Sequence, residues 1–211
     1  MVVTNRLTAK DLERAIKIGE GRYREVFRLE KYIIKLLKPQ VRKSYGPFNL
    51  DFPSDFYIKW CFGIRDFNHY EYEVYRKLIK KIPKEFENNF AKIYSVGRLN
   101  EKSYSISDAI LDENGEVSQP LSTYRKLNEP AFWSQMEKLE EILIEKAIPL
   151  MDIRGENILV QKNNGRVSPI FIDFKRYGRK VYPYQFWLFS KDRLIAKIRR
   201  RFQRLKERHM P

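Results

Sequence analysis

Cysteine is almost missing from this sequence, whose 211 residues contain only Cys61. A lone thiol closes no intramolecular disulfide and builds no cysteine-based zinc site, so a reducing, cytoplasmic setting is the expectation. Histidine is nearly as scarce, and His69 and His209 are too isolated in sequence to be proposed as metal ligands; each is expected in a surface or capping role. No apolar run approaches the roughly 18 residues of a membrane span. Met1 to Lys10 has neither an apolar stretch nor a small-residue cleavage site, so no secretory signal is expected there. Pro/Gly/Ser-rich linkers, internal repeats and low-complexity segments are also lacking. Together these absences predict one domain spanning 1–211, with room for two lobes, rather than two cores joined by a tether.

Hydrophobic residues make up 43% and aromatics 14%, enough for a sizeable core. Cations are plentiful, with a net charge of +15, and they are unevenly placed. Residues 179–211 hold eleven Lys and Arg against Asp192 and Glu207, so +9 of the charge lies in this final stretch. Within it, Leu194, Ile195, Ile198, Phe202 and Leu205 form an apolar stripe with Lys197, Arg199, Arg200, Arg201 and Arg204 around it, which predicts a basic amphipathic helix over about 189–208. Three roles are open to it: capping the fold, binding an anionic membrane surface with Tyr182, Tyr184, Phe186, Trp187 and Phe189 as interfacial anchors, or binding nucleic acid.

The order of elements predicts an α+β chain. Ala15 to Phe27, broken by glycines, and Tyr32 to Leu37 read as strands joined by a hairpin. Lys38 to Asn68 is a long aromatic-rich connection, readable as a lid, a partner surface or padding. Tyr72, Val74, Tyr75, Leu78 and Ile82 fit a helix over His69 to Lys81 that stops at Pro83. Phe90 to Leu99 and Ser103 to Leu111 add strands, and Asp112-Glu113-Asn114-Gly115 is a turn. Phe132, Met136, Leu139, Ile142, Leu143 and Ala147 then share a helix face ending near Pro149. A hairpin follows, with Asn157 to Gln161 and Val167 to Phe174 as its strands.

Chemistry concentrates at three places. Gly19 and Gly21 sit in a strand-turn-strand, where glycines let backbone amides approach phosphate oxygens; an ordinary hairpin turn is the alternative. Lys35 ends an apolar strand, a position from which a cation can meet a phosphate or simply face solvent. Glu71 has Val74, Tyr75 and Leu78 at +3, +4 and +7, placing it at one end of a buried stripe within reach of Lys35, whereas Glu73 falls on another face. The most specific stretch runs from Leu150 to Val160. Asp152 and Asn157 stand five residues apart, a spacing that resembles the Asp-x-x-x-x-Asn of a kinase catalytic loop, and the resemblance implies that Asp152 receives a hydroxyl proton and Asn157 ligates Mg²⁺. Asp173 ends the partner strand and offers a second oxygen ligand, while Arg154 is placed to neutralise charge on a transferring phosphoryl group.

In this order Gly19 to Phe27, Lys35, Glu71, Asp152 to Asn157 and Asp173-Phe174 resemble the glycine loop, strand lysine, helix glutamate, catalytic loop and metal-binding Asp-Phe of protein kinases. Ser103 to Leu121, with Ser107-Asp108-Ala109-Ile110-Leu111-Asp112 and Gly115, together with the basic C-terminus, looks like the YrbL-like, PhoP regulatory network family of small bacterial kinase-like chains. The resemblance implies a small bilobal protein-kinase-like fold. Its N-lobe, about 1–111, would hold a five-stranded antiparallel sheet; its C-lobe, about 116–211, would be truncated and mostly helical. It also implies ATP and Mg²⁺ as cofactors, adenine contacts near Asp108 to Ile110, and transfer to the hydroxyl of a membrane-associated sugar, a lipid-linked acceptor or a protein.

Three departures bear on that expectation. Arg24 replaces the third loop glycine, Leu150-Met151 replaces the usual His-Arg, and Lys175 replaces the glycine after Asp-Phe. No Ala-Pro-Glu follows Asp173, which removes the usual peptide-docking platform and points away from activation-loop phosphorylation. A pseudokinase regulator whose basic helix binds an anionic partner is the competing expectation, and a basic nucleic-acid-binding module a third.

Overall fold

The computed structural model describes residues 6–21, 23–38, 66–148, 150, 152–174 and 190–211, and the backbone of 42–45 and 50–53. Arg22, Phe48, Phe56, Tyr57, Trp60, Cys61, Phe62, Met151, Lys175 and the aromatic run Tyr182 to Phe189 lie outside the described residues, as do the side chains of Tyr45 and Phe52. The chain divides into two compact units, the first formed by 1–73 and 92–109, the second by 74–91 and 110–211.

The first unit is built on a five-stranded antiparallel sheet of β1 (Ile16–Glu20), β2 (Arg24–Leu29), β3 (Tyr32–Leu37), β6 (Ile93–Leu99) and β7 (Lys102–Asp108), in the order β1-β2-β3-β7-β6. The strand centre is β3, the most apolar of the set, because a strand covered on both sides needs side chains that lose nothing by leaving water. Side chains alternate along it. Tyr32, Ile34 and Leu36 join Leu7, Leu29, Tyr104 and Ile106 in a buried cluster, and this puts Lys35 on the opposite face. Tyr104 is anchored there by its hydroxyl, which accepts a 3.0 Å hydrogen bond from the Leu7 amide. Helix α1 (Ala9–Arg14) precedes the sheet and is opened by a capping box between Thr8 and Asp11.

Within the long connection, β4 (Arg42–Tyr45) and β5 (Leu50–Pro53) pair as a separate two-stranded sheet. Helix α2 (Phe67–Ile79) begins two residues before the expected His69. Asp66 sets that start: its Oδ1 accepts from the amides of Asn68 (2.9 Å) and His69 (3.1 Å), satisfying donors that have no partner inside the helix. Its other oxygen lies 3.0 Å from His69 Nδ1, so His69 supports the capping aspartate rather than capping the helix itself.

The second unit carries a three-stranded sheet in the order β10-β9-β8, from β8 (Gln119–Pro120), β9 (Ile158–Asn163) and β10 (Arg166–Phe171). Asn164 and Gly165 close the β9–β10 hairpin with φ values of +50° and +69°, the paired left-handed conformation that matches strand twist in a two-residue turn. Helix α3 (Pro130–Glu145) buries Phe132, Trp133, Met136, Leu139, Ile142 and Leu143. Ala147, expected on that face, instead lies beyond the helix end at a φ of +46°. Helix α4 (Lys191–His209) buries Leu194, Ile198, Phe202 and Leu205, with Phe202 6.4 Å from the Phe171 ring.

His209 is not a surface residue. It is buried at the end of α4, its Nδ1 2.7 Å from the Tyr124 carbonyl and its own carbonyl accepting from the Leu127 amide at 2.7 Å. Among the described residues no helix is long and apolar enough to cross a membrane.

Candidate functional site

In the first unit, the strand alternation of β3 and the turn periodicity of α2 bring two expected residues together. Lys35 Nζ lies 2.7 Å from Glu71 Oε1, with Glu71 1% and Lys35 15% exposed. A lysine on the central strand therefore faces the helix rather than bulk solvent. A residue that the spacing did not single out completes the cluster. Arg24, 4% exposed, bonds through Nη1 to the second Glu71 oxygen, Oε2, and to Asn68 Oδ1 at 3.1 Å.

A buried polar network surrounds this pair of cations. Asn68 donates through Nδ2 to the Lys35 carbonyl and to Ser103 Oγ, each at 3.3 Å. Ser105 Oγ donates to Asn68 Oδ1 at 3.4 Å, and Ser103 Oγ donates to Asp66 Oδ1 at 2.9 Å. Burial alone would raise the Asp66 carboxyl, but the His69 side chain and amide and the Ser103 hydroxyl outweigh it and hold the group below its ordinary value. Burying this many polar groups is tolerable because they satisfy one another. The available signals were an aspartate just ahead of a helix and a strand-start arginine where a small residue was anticipated.

The glycine turn sits between β1 and β2. A Cβ at Gly19 would meet no atom within 4 Å, and one at Gly21 would meet only the Arg24 carbonyl at 3.7 Å. The protein's own packing thus does not require glycine at either position. The turn is closed by the Gly21 amide donating to that carbonyl at 2.8 Å, and Tyr23 stacks on Phe67 with 4.8 Å between centroids. At the rim, Glu20 is paired with Lys17 and Lys38, and the Lys17 hydrogen bond, followed by that of Lys38, lowers its carboxyl to about 2.

Asp108 ends β7 with its carboxylate accepting from Tyr94 Oη at 2.6 Å and the Lys92 amide at 3.2 Å. Its own amide donates to the Lys92 carbonyl and that of Ala109 to the Lys31 carbonyl. Ile110 belongs to the second unit, where its carbonyl accepts from the Ser118 amide at 2.9 Å and its side chain packs on Ala91, Leu159 and Ile170.

The second unit gathers Asp152, Arg154 and Asn157. Asn157 ends a short 3₁₀ turn (Gly155–Asn157) at the mouth of β9, and its Nδ2 donates to the Asp152 carbonyl at 3.0 Å. Arg154 Nε is ion-paired with Asp152 Oδ1 at 3.1 Å. Asp173 follows β10, tied in by the Ile172 amide donating to the Asn157 carbonyl at 2.9 Å, and it holds a left-handed φ of +62°, an uncommon conformation for a residue with a side chain. Phe174 is buried beside the Tyr75 ring. The loop is also held from behind. A Cβ on Gly155 would stand 3.1 Å from the Ser122 amide nitrogen and 3.3 Å from His209 Nε2, and Arg201 Nη1 reaches the Ile153 carbonyl at 3.4 Å.

The five-stranded antiparallel sheet with its central lysine on a helix glutamate, and the loop-hairpin carrying Asp152, Asn157 and Asp173, place the chain in the α+β, protein-kinase-like class of fold. Solved structures to which it is similar include the BubR1 kinase domain, at 18% identity over 79% of this chain and 47% of that one, with a TM-score of 0.48. Monomeric WbdD matches at 14% identity over 84% and 45% of the two chains, with a TM-score of 0.48. The kinase domain of PF14_0431 matches at 13% identity over 76% and 49%, with a TM-score of 0.46. The chain therefore spans about half the length of the solved structures it matches. No protein-family model and no curated protein matches the sequence.

Proposed function

We propose that the chain is a phosphotransferase of YrbL-like type that uses ATP and Mg²⁺ to phosphorylate a hydroxyl. The observation that carries the reading is the part-buried Lys35–Glu71 pair, a fixed cation presented from the centre of a sheet. Such a cation neutralises phosphate oxygens without having to be ordered during the reaction. Gly19 and Gly21 offer backbone amides at the turn, and Asp108 and Ile110 are the proposed adenine-contacting positions.

Asn157 and Asp173 suit a hard cation by their donor chemistry. With Nδ2 of Asn157 committed to the Asp152 carbonyl, its Oδ1 is the atom left to ligate, and Asp173 supplies carboxylate oxygens. Bound Mg²⁺ would supply neutralisation of charge on the transferring phosphoryl group. Asp152 is assigned to orient the acceptor hydroxyl and take its proton, with Arg154 alongside to steady developing negative charge. A membrane-associated sugar or a lipid-linked hydroxyl suits the exposed cations of α4, with a protein hydroxyl as the other acceptor class.

One observation favours a second reading. The Asp152–Arg154 ion pair engages the carboxylate needed as proton acceptor, which would suit a nucleotide-binding regulator that transfers nothing. Thermal shift with MgATP and radiolabelled phosphate release, on the wild type, Asp173→Ala and Asp152→Ala, separate the two. The kinase reading expects nucleotide stabilisation that Asp173→Ala loses and turnover that Asp152→Ala abolishes. Stabilisation without turnover in the wild type selects the regulator, and no nucleotide binding at all removes both.

A further inference from the structure

Arg24 stands where the sequence departs from a glycine loop, and its surroundings give it a task. Its backbone carbonyl closes the glycine turn by accepting from Gly21, while its side chain holds Glu71 Oε2 and Asn68 Oδ1. The same Glu71 holds Lys35 through its other oxygen, and the same Asn68 holds the Lys35 backbone carbonyl. One residue thus ties together the turn, the first turn of α2 and the lysine-bearing strand. A guanidinium suits this position because it is planar, permanently charged and able to serve several acceptors, which an ammonium on a shorter reach does less well.

Exposure adds a second argument. Arg24 and Lys35 meet the two oxygens of one carboxylate, and Lys35 is the more exposed of the two at 15% against 4% for Arg24. The ammonium is therefore the group of this cluster that a phosphate oxygen would meet, and its place depends on the carboxylate that Arg24 holds.

We propose that Arg24 is a positioning residue for phosphate recognition: by clamping Glu71 and the glycine turn, it fixes Lys35 as a preformed anion receptor. The inference rests on the nucleotide reading above and goes beyond it in assigning the residue that replaces the third glycine. Because Arg24 acts through Lys35, its effect should disappear once Lys35 is gone, a dependence that a merely structural residue would not show.

The test is MgATP affinity by calorimetry on the full chain for wild type, Arg24→Met, Arg24→Lys, Lys35→Met and the double variant Arg24→Met/Lys35→Met. Arg24→Met is expected to weaken binding about tenfold, equivalent to about 1.4 kcal/mol. Arg24→Lys should recover part of that loss, and the double variant should bind no worse than Lys35→Met. Wild-type affinity in Arg24→Met, or a loss that adds in full to that of Lys35→Met, overturns the proposal. If Lys35→Met binds like wild type, the phosphotransfer reading itself falls.

Two further arms keep the result decisive. Should Arg24→Met not fold, Asn68→Ala frees one anchor of the guanidinium and is read in the same way, with unchanged affinity counting against the proposal. Should the wild type bind no MgATP, the phosphate-recognition role falls with the nucleotide reading, and amide hydrogen exchange over 67–73 decides only whether Arg24 clamps the helix. Arg24→Met should speed exchange there about tenfold, roughly a 1.4 kcal/mol loss of local protection, and unchanged exchange refutes it.

Discussion

Replacing Glu71 should be far more damaging than replacing either cation it holds. Glu71 is 1% exposed and stands between Arg24 at 4% and Lys35 at 15%. In Glu71→Gln the shape is retained and the charge removed, leaving two cations against a neutral amide. Removing one partner of a buried ion pair costs about 3–5 kcal/mol because the remaining charge stays desolvated. Lys35→Met is different, since Glu71 keeps its bond from Arg24. It forfeits one charge-assisted hydrogen bond, worth about 1.5–3 kcal/mol, and the lower end applies to an ammonium that is partly in water. The difference between the variants should thus be about 2 kcal/mol, worked from the same ranges. Urea unfolding followed by far-ultraviolet circular dichroism measures it, through the shift in midpoint at unchanged slope. If Glu71→Gln proves no less stable than Lys35→Met, the carboxylate does not hold both cations in place and the argument from a shared carboxylate fails.

Other outcomes follow from separate parts of the molecule. A Cβ at Gly97 would stand 2.6 Å from Tyr104 Oη, so Gly97→Ala should cost about 1–3 kcal/mol by overpacking. Combined with Tyr104→Phe, its cost in urea unfolding should fall short of the sum, because displacing the ring already breaks the Leu7 bond. Asp66, held below its ordinary 3.8, contributes stability that is present above that value and lost as pH falls through its lower folded value; an acid titration of Asp66→Asn should lack this part of the decline. Glu140 has the opposite sign. Burial raises it, against the pull of Lys206 and Arg199, so stability falls as pH rises from its ordinary 4.5 through the raised value, and Glu140→Gln should be the more stable protein at neutral pH by thermal melting. On α4, Arg200, Arg204 and Arg208 are exposed while Phe202 is fully buried. The proposed membrane-associated acceptor expects the wild type to cosediment with phosphatidylserine vesicles and reversal of the three charges to Glu to abolish this at a nearly unchanged melting temperature, no cosedimentation of the wild type counting against it, whereas Phe202→Ala should cost about 3–5 kcal/mol of stability.

Much of the fold was written in local pattern. Alternation along Tyr32 to Leu37, the turn residues Asn114-Gly115 and Asn164-Gly165, and the helical spacing of Phe132 to Leu143 each specify an element from neighbours a few residues apart. The same spacing separated Glu71 from Glu73, since a two-residue step turns a helix by about 200° and only one of them can face the sheet. Helix ends were legible less well: α2 begins at Phe67 because Asp66 caps it, and α3 stops at Glu145, short of Ala147.

Pairing between distant segments was not legible. Arg24 read as a defect in a glycine loop, and its use became visible only when β2 was placed within reach of a helix 47 residues later. His209 read as isolated, whereas the closing of α4 onto the second unit sets it against the Tyr124 carbonyl and the Gly155 backbone. The apolar stripe of α4 left open whether it covers a core or a membrane, and Leu194, Ile198, Phe202 and Leu205 are buried in the protein itself. The division has one physical cause. Backbone geometry and side-chain alternation are settled by residues near in sequence, but whether a buried charge is tolerated depends on which opposite charge the chain brings to it, and that is fixed when the elements pack.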